Sequence, residues 1–384
     1  MRARVLLLSQ EVHPVPPLKG AAVEQWIDAV AHRMTRHEAH IVSVPHPLRA
    51  DEESQDGVHY HRIRMGRVYK RLFRKLTRLD PWSYVDRIAG IARRVGPALL
   101  HVHNAPQFVD GLSKALPGIP LLLHMHNEKA DPVRSRVAML AGCSRYVTDW
   151  YQARQFPARQ FAVLDNGVDV AAFADCPDRL QRAERRRLHG IPEDRFVVLY
   201  AGRISPEKGP DLLAQAMSGL DGQRFHLVLA GEWPTGDART SERVRYADQL
   251  RSLLEPVAHT VLGSLAPGRM PDIYPLADLL VIPSRFEEPF SMVAIEAMAA
   301  GIPVLALRRG GMVEYMRDGE NAVLLAADAG AADIARAITK LAASPAVLQQ
   351  LASAGRDMAR QRFTWEQVAA RTEALYDRML GAAS

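Results

Sequence analysis

Short apolar runs punctuate the chain, and most lead through a loop of turn residues into a helical pattern. In the first half, Arg4 to Ser9, Ile41 to Val44, Val58 to Ile63, Ala98 to Asn104 and Pro120 to Glu128 read as strands or strand-to-loop transitions. In the second half Phe196 to Ala201, Phe225 to Glu232, Thr260 to Gly263 and Leu279 to Ile282 read the same way, and another strand starts at Pro303. Runs this short, bounded by turn residues, suit strands buried on both faces. Helices are expected from about Val23 to Thr35, from Ser291 to Ala300 before a stop at Gly301, and from Thr364 to about Leu380. Strands alternating with helices predict an α/β chain with doubly wound, Rossmann-like parallel sheets.

Length turns one such fold into two. The 384 residues suit two domains of about 190 residues each, with the first expected over 1–185 and the second over 186–363. The charged stretch from Asp175 to Pro192 is read as a connecting helix. A hydrophobic content of 48% with 24% charged residues describes globular material, and no run of eighteen apolar residues spans a membrane. The basic, then apolar N-terminus has a core too short for a signal peptide and reads as a first strand. Cys143 and Cys176 are too few for a disulfide framework, which fits a reducing cytoplasm. The net charge of +6 is modest, and its one concentrated block is Arg67, Lys70, Arg71, Arg74, Lys75 and Arg78 around an apolar face of Leu72, Phe73, Leu76 and Leu79. That segment suits either an amphipathic helix lying on an anionic membrane or a helix packed on its own domain with solvated cations.

The candidate chemistry lies at the carboxyl ends of strands. Glu288 and Glu296, with seven residues between them, flank the start of the Ser291 helix, where Pro289, Phe290, Ser291 and Met292 form the entry. Free backbone N–H groups at such a helix start favour an anion. Arg203 and Lys208 lie in the loop Gly202-Arg203-Ile204-Ser205-Pro206-Glu207-Lys208-Gly209 after another strand, where two cations suit a diphosphate. Gly231 ends a third strand and Gly20 precedes the first helix. Two His-x-His pairs, His101 with His103 and His124 with His126, end strands of the first half, the second followed by Asn127. Alternate strand positions share a face, so each pair has metal-chelating geometry, but no neighbouring acid or cysteine completes a site.

The Glu288 to Glu296 unit resembles the E-x7-E signature of retaining glycosyltransferases of the GT-B fold, in the large family-four group (glycosyl transferases group 1). The Gly202 to Gly209 loop and Asn166-Gly167-Val168-Asp169 are similar to further elements of that family. The resemblance covers nearly the whole chain and is more specific in the second half. It implies two Rossmann-like domains facing an interdomain cleft, with the 364–384 helix crossing back onto the first. Glu288 would touch the donor sugar, Glu296 the ribose hydroxyls, and Arg203 and Lys208 the pyrophosphate. Gly20, Gly231, Phe290, Ser291 and Met292 would also line the donor site. His126 would face the sugar, and His103 and Asn127 the acceptor. Where the family carries a second glycine after Gly20, this chain has Ala21. No G-x-G-x-x-G fingerprint points to a nicotinamide cofactor, and no Asp-x-Asp points to a metal.

The implied reaction moves a hexose from a nucleotide-diphosphate sugar, a UDP-sugar or GDP-mannose, to a hydroxyl of a glycan or lipid-linked acceptor with retention. Envelope polysaccharide or lipopolysaccharide biosynthesis is the expected setting, cytoplasmic or peripheral at the inner membrane face. No metal or other cofactor is expected, and no nucleic acid. The alternatives are a sugar phosphorylase on the same scaffold and a non-catalytic sugar-nucleotide-binding envelope protein.

Overall fold

The computed structural model describes residues 2–18, 20–66, 82–174, 179–236 and 241–381. It divides into two compact units, one of 1–167 with 365–384 and one of 168–364. The basic block from Arg67 to Leu79 and the second cysteine, Cys176, lie outside the described residues.

The first unit holds β1 (Ala3–Leu8), β2 (His37–Ser43), β3 (Glu52–Gln55), β4 (Val58–Arg62), β5 (Leu99–His103), β6 (Leu121–Met125), β7 (Val137–Gly142) and β8 (Ala158–Val163). They form one sheet in the order β3-β4-β2-β1-β5-β6-β7-β8. All pairs are parallel except the β3–β4 hairpin. The central strands are fully buried because helices cover both faces, which is why they read as unbroken apolar runs. Chain order reverses between β1 and β5, a topological switch point at the carboxyl edge.

The second unit repeats the plan with β9 (Phe196–Ala201), β10 (Phe225–Ala230), β11 (His259–Gly263), β12 (Leu279–Ile282), β13 (Val304–Leu307) and β14 (Val323–Leu325). Their order, β11-β10-β9-β12-β13-β14, is wholly parallel and reverses between β9 and β12. Ile204, Leu213, Met217, Leu250, Leu279 and Ile338 belong to its core. The Arg203–Lys208 loop follows β9 and the Glu288 loop follows β12. They are therefore neighbours at the switch point.

The expected boundary near residue 185 moves to 167. Helix Arg179–Leu188 belongs to the second unit because Asp278 holds it there. Arg182 Nη2 donates to Asp278 Oδ1 at 2.6 Å and Arg186 Nη2 to Oδ2 at 2.8 Å. The Val197 N–H, at the start of the central strand, donates to the same Oδ2. The last helix, Trp365–Leu380, belongs with the first unit. Its Glu373 accepts the backbone N–H groups of Thr35, Arg36 and His37. Among the described residues, no helix is long and apolar enough to cross a membrane.

Candidate active site

In the second unit the sequence candidates converge on one carboxylate. Lys208 Nζ lies 2.8 Å from Glu288 Oε1 and 3.0 Å from Oε2, and Ser284 Oγ donates to Oε1 at 2.5 Å. Glu288 is 4% exposed, so this ion pair sits in a lower dielectric than a surface pair and its geometry counts. The two loops are tied elsewhere too: the Arg285 N–H donates to Glu207 O, and its guanidinium forks onto Asp211 at 2.6 and 2.8 Å. Arg203 stands apart. It is 58% exposed and 3.7 Å from Glu207, a contact too solvated to hold it in one place.

The backbone behind Glu288 is equally constrained. The Gly311 N–H donates to Glu288 O at 2.7 Å, and a Cβ at Gly310 would overlap the Glu288 main chain. Ser291, at the mouth of helix Met292–Ala300, has φ of 77°, a conformation that L-residues seldom adopt, and makes no side-chain cap. Tyr315 Oη pins this turn by donating to Phe290 O at 2.6 Å. The helix start is thus left to its own N–H groups and its dipole, a setting suited to an anion. Glu296 lies farther along, where Tyr274 Oη donates to its Oε2 at 2.8 Å. Burial pushes its carboxyl up to about 7, against the opposite pull of that hydrogen bond. Gly231 serves packing, because a Cβ there would overlap the Gly202 carbonyl of the Arg203 loop.

In the first unit the histidines form a packed group around Trp26. The rings of His101, His103, His124 and His126 all lie within 6.4 Å of the Trp26 ring, centroid to centroid. One ring nitrogen from each of His101, His103 and His124 falls within 4.8 Å of the others, a grouping of three that spacing along either strand alone does not reveal. His124 Nε2 donates to Leu164 O, which leaves its Nδ1 as a bare acceptor. Burial holds all three well below the ordinary histidine range, so they are neutral. His126 is partly exposed at the strand end, its Nδ1 enclosed without a partner. Burial draws its ring down to about 3.

His103 is wholly enclosed and its Nδ1 lies 3.5 Å from His126 Nε2. It stands behind His126 with no exposed surface of its own. Asn127 has an enclosed Oδ1 without a partner. Gly20 is exposed, with nothing within 4 Å of a Cβ placed there. The helix after it, Ala22–Ala31, carries its own acid: Glu24 is 2% exposed, accepts from Ser9 Oγ at 2.9 Å, and is raised in pKa by burial. An anion near Gly20 would meet a group already occupying that helix start.

Residues 181–358 match the family described as glycosyl transferases group 1. Across 97% of this chain and 98% of the relative, the sequence is 32% identical to lipopolysaccharide 1,2-N-acetylglucosaminetransferase of Salmonella typhimurium. The chain belongs to the group 1 glycosyl transferases. This glycosyltransferase is also 27% identical to spore coat protein SA of Bacillus subtilis, over 98% of the chain and 99% of the relative. Its fold is that of GT-B glycosyltransferase structures. Sucrose-phosphate synthase from Thermosynechococcus elongatus superposes with a TM-score of 0.78 at 21% identity, each chain covered completely. Anabaena HepE, solved with UDP and glucose, superposes with a TM-score of 0.75 at 20% identity over 98% of this chain and all of that one.

Several supporting residues of this glycosyltransferase carried no signal of their own. Ser284 holds Glu288 from within the same loop, and Tyr274 and Tyr315 hold Glu296 and the Ser291 turn from more than twenty residues away. Asn104, with φ of 51°, accepts the His126 N–H through its Oδ1, and Lys129 Nζ donates to Asn104 O at 2.7 Å.

Proposed function

We propose that this glycosyltransferase moves a hexose, with retention, from a nucleotide-diphosphate sugar to a hydroxyl of a glycan or lipid-linked acceptor in envelope lipopolysaccharide or polysaccharide biosynthesis. A UDP-sugar is the first choice of donor and GDP-mannose the second. Similarity to a lipopolysaccharide N-acetylglucosaminetransferase and fold likeness to a structure holding UDP and glucose support that choice. The observation that carries the reading is the Lys208–Glu288 pair beside an uncapped helix start at the switch point of the second sheet.

In this reading the diphosphate lies over the helix start, with Lys208 turning from Glu288 toward it and Arg203 swinging in from solvent. Their cations stabilise the charge that grows on the departing phosphate, a contribution of about 3 to 4 kcal/mol per well-placed donor. Glu288, released from Lys208 but still held by Ser284, takes the sugar hydroxyls. Glu296 takes the ribose diol, and neutral His126 supports the anomeric centre with His103 and Asn104 behind it. The acceptor hydroxyl attacks on the face from which the phosphate leaves, and the leaving oxygen takes its proton. No divalent ion is assigned to the donor phosphates, whose charge is met by side chains and helix N–H groups. The protein is placed in the cytoplasm, where such donors are made.

A thermal-shift screen against UDP, GDP, ADP and their sugar conjugates tests the donor assignment. A ligand at about 100 times its Kd adds roughly 2.7 kcal/mol to the folded state. One nucleotide standing out, followed by release of that nucleotide from its sugar conjugate on slow hydrolysis, supports transfer. Binding with neither hydrolysis nor transfer would favour a binding protein instead, the reading to which the spore coat relative gives weight.

A further inference from the structure

Three adjacent strands at one edge of the first sheet place a second polar cluster on a single face. Glu38 and His40 are two apart on β2, and His59 and His61 are two apart on β4, so each pair points the same way. His40 lies opposite His59 in the parallel register, while Ser54 and Glu52 of β3 lie opposite His59 and His61. His40 Nε2 is 3.0 Å and His59 Nε2 3.4 Å from the same oxygen, Glu38 Oε1. Two ligands at about 2.0 to 2.1 Å from one tetrahedral zinc are themselves about 3.3 Å apart. Both imidazole-to-carboxylate spacings match, all three atoms lie within 4.8 Å of one another, and the His40 and His59 rings, stacked at 20°, need only splay to face one ion.

The hydrogen bonds around these atoms point the same way. His40 Nδ1 lies 3.1 Å from His61 Nε2, and His61 Nδ1 lies 2.6 Å from Glu52 Oε2. Ionised carboxylates only accept, so without a metal both carboxylate-facing nitrogens must carry hydrogens. The facing pair between His40 and His61 then needs one more, and one of the two rings must be an imidazolium. A cation bound at His40 Nε2 removes that requirement. His40 Nδ1–H then donates to His61 Nε2, His61 Nδ1–H donates to Glu52, and every ring is neutral. His59 fits the same scheme, with Nε2 free to ligate and Nδ1–H donating to Ser54 Oγ at 2.7 Å. Hydrogen-bond acceptors behind ligating histidines are the usual outer shell of a metal site; here they are Ser54 behind His59, and His61 backed by Glu52 behind His40.

We propose that Glu38, His40 and His59 bind one divalent transition ion, zinc first, with His61, Glu52 and Ser54 as the outer shell. Two imidazoles and one carboxylate oxygen suit a borderline-soft ion, and leave a fourth position for water. An open cavity of about 550 Å³ reaches Glu38 and His40, and its two cations, Arg4 and Arg94, are each tied to a carboxylate, Glu38 and Glu52. Arg4 binds the other oxygen of Glu38 at 3.4 Å, which leaves Oε1 for the metal. The ion would clamp β4, with β3 beyond it, onto β2. This site is independent of the donor reading, because it uses none of its residues.

The test uses the full chain without a histidine tag, stripped with a chelator and titrated with zinc against a chromophoric competitor. The wild type should bind one zinc per chain and gain thermal midpoint on binding. A double variant with His40→Gln and His59→Gln should lose at least 100-fold in affinity. His61→Gln, which leaves all three ligands in place, should lose about 10- to 100-fold. Circular dichroism checks that the variants fold, and Glu38→Gln carries the test if the double variant does not. No zinc in the wild type, or equal affinity in the ligand variants, would overturn the proposal. Equal affinity would direct attention to His101, His103 and His124 instead.

Discussion

The Glu288 region of the second unit and the His126 region of the first are both built at the carboxyl ends of parallel strands, yet they are held by different means. Around Glu288 the ionised groups have partners: Lys208 and Ser284 on its carboxylate, Gly311 on its carbonyl. Around His126 burial does more of the holding: Asn104 takes its N–H and His103 faces its Nε2, but Nδ1 of His126 and Oδ1 of Asn127 are enclosed without a hydrogen-bond partner. One region keeps charge in place until a ligand claims it, and the other keeps rings neutral. Under the proposed reaction a donor diphosphate would use the first, and a sugar ring passing through a cationic state would be better served by a neutral neighbour than by an imidazolium.

The largest effect is expected where charge is paired. Lys208→Ala should lower turnover by about 100- to 1,000-fold. The loss of folding stability should be smaller, about 1 to 3 kcal/mol, because Ser284 still donates to the stranded Glu288. Rate and denaturant melts on the same preparation separate the two, and unchanged turnover would remove Lys208 from the chemistry. Packing comes next. Gly231→Ala forces a methyl against the Gly202 carbonyl and should cost about 2 to 4 kcal/mol, moving the Arg203 loop with it. A melt unaltered by this change would show that the loop has slack the structure does not suggest.

Glu296 sharpens the comparison through pH. Burial pushes its carboxyl up to about 7, and the ribose diol of the proposed donor would donate best to the ionised form. Nucleotide affinity should therefore rise with pH and level off above about 8, being roughly tenfold weaker at pH 6 than on the plateau. Glu296→Gln should flatten the curve. Folding stability should run the other way: the folded chain holds the proton more tightly than the unfolded one, so stability falls as pH rises from about 4.5 to 7. His126, drawn down to about 3 by burial, should add no inflection between pH 5 and 8.

The same contrast explains what could be read from the sequence. Leu279–Ile282 matches its expected bounds because four apolar residues between turn signals leave little choice, and helix Met292–Ala300 starts one residue later than expected. The strand Glu52–Gln55 was missed, since its four residues are polar and show no alternation. Its signal was the Asp56-Gly57 dipeptide, both residues at positive φ, which closes a tight hairpin onto Val58. Charged loops were legible as composition, but the Lys208–Glu288 bond joins residues 80 apart and exists only because β12 lies beside β9. The histidine cluster depends likewise on register: His103 pairs with His124, and a slip of one residue would turn one pair to the other face of the sheet.

The smallest expected effect lies at Gly20, and it separates a glycine kept for packing from one kept for a ligand. A Cβ at Gly231 would meet the Gly202 carbonyl, whereas one at Gly20 meets nothing within 4 Å. Gly20→Ala should therefore leave the melting midpoint within the equivalent of about 0.5 kcal/mol. If a donor or acceptor passes close to that backbone, the same methyl should raise KM severalfold with kcat little changed, because it obstructs binding and touches no group that moves charge. If KM also stays put, Gly20 leaves the site. The buried Glu24 at the following helix start would then be the reason, since that position already holds an acid and gives a phosphate no vacancy to fill.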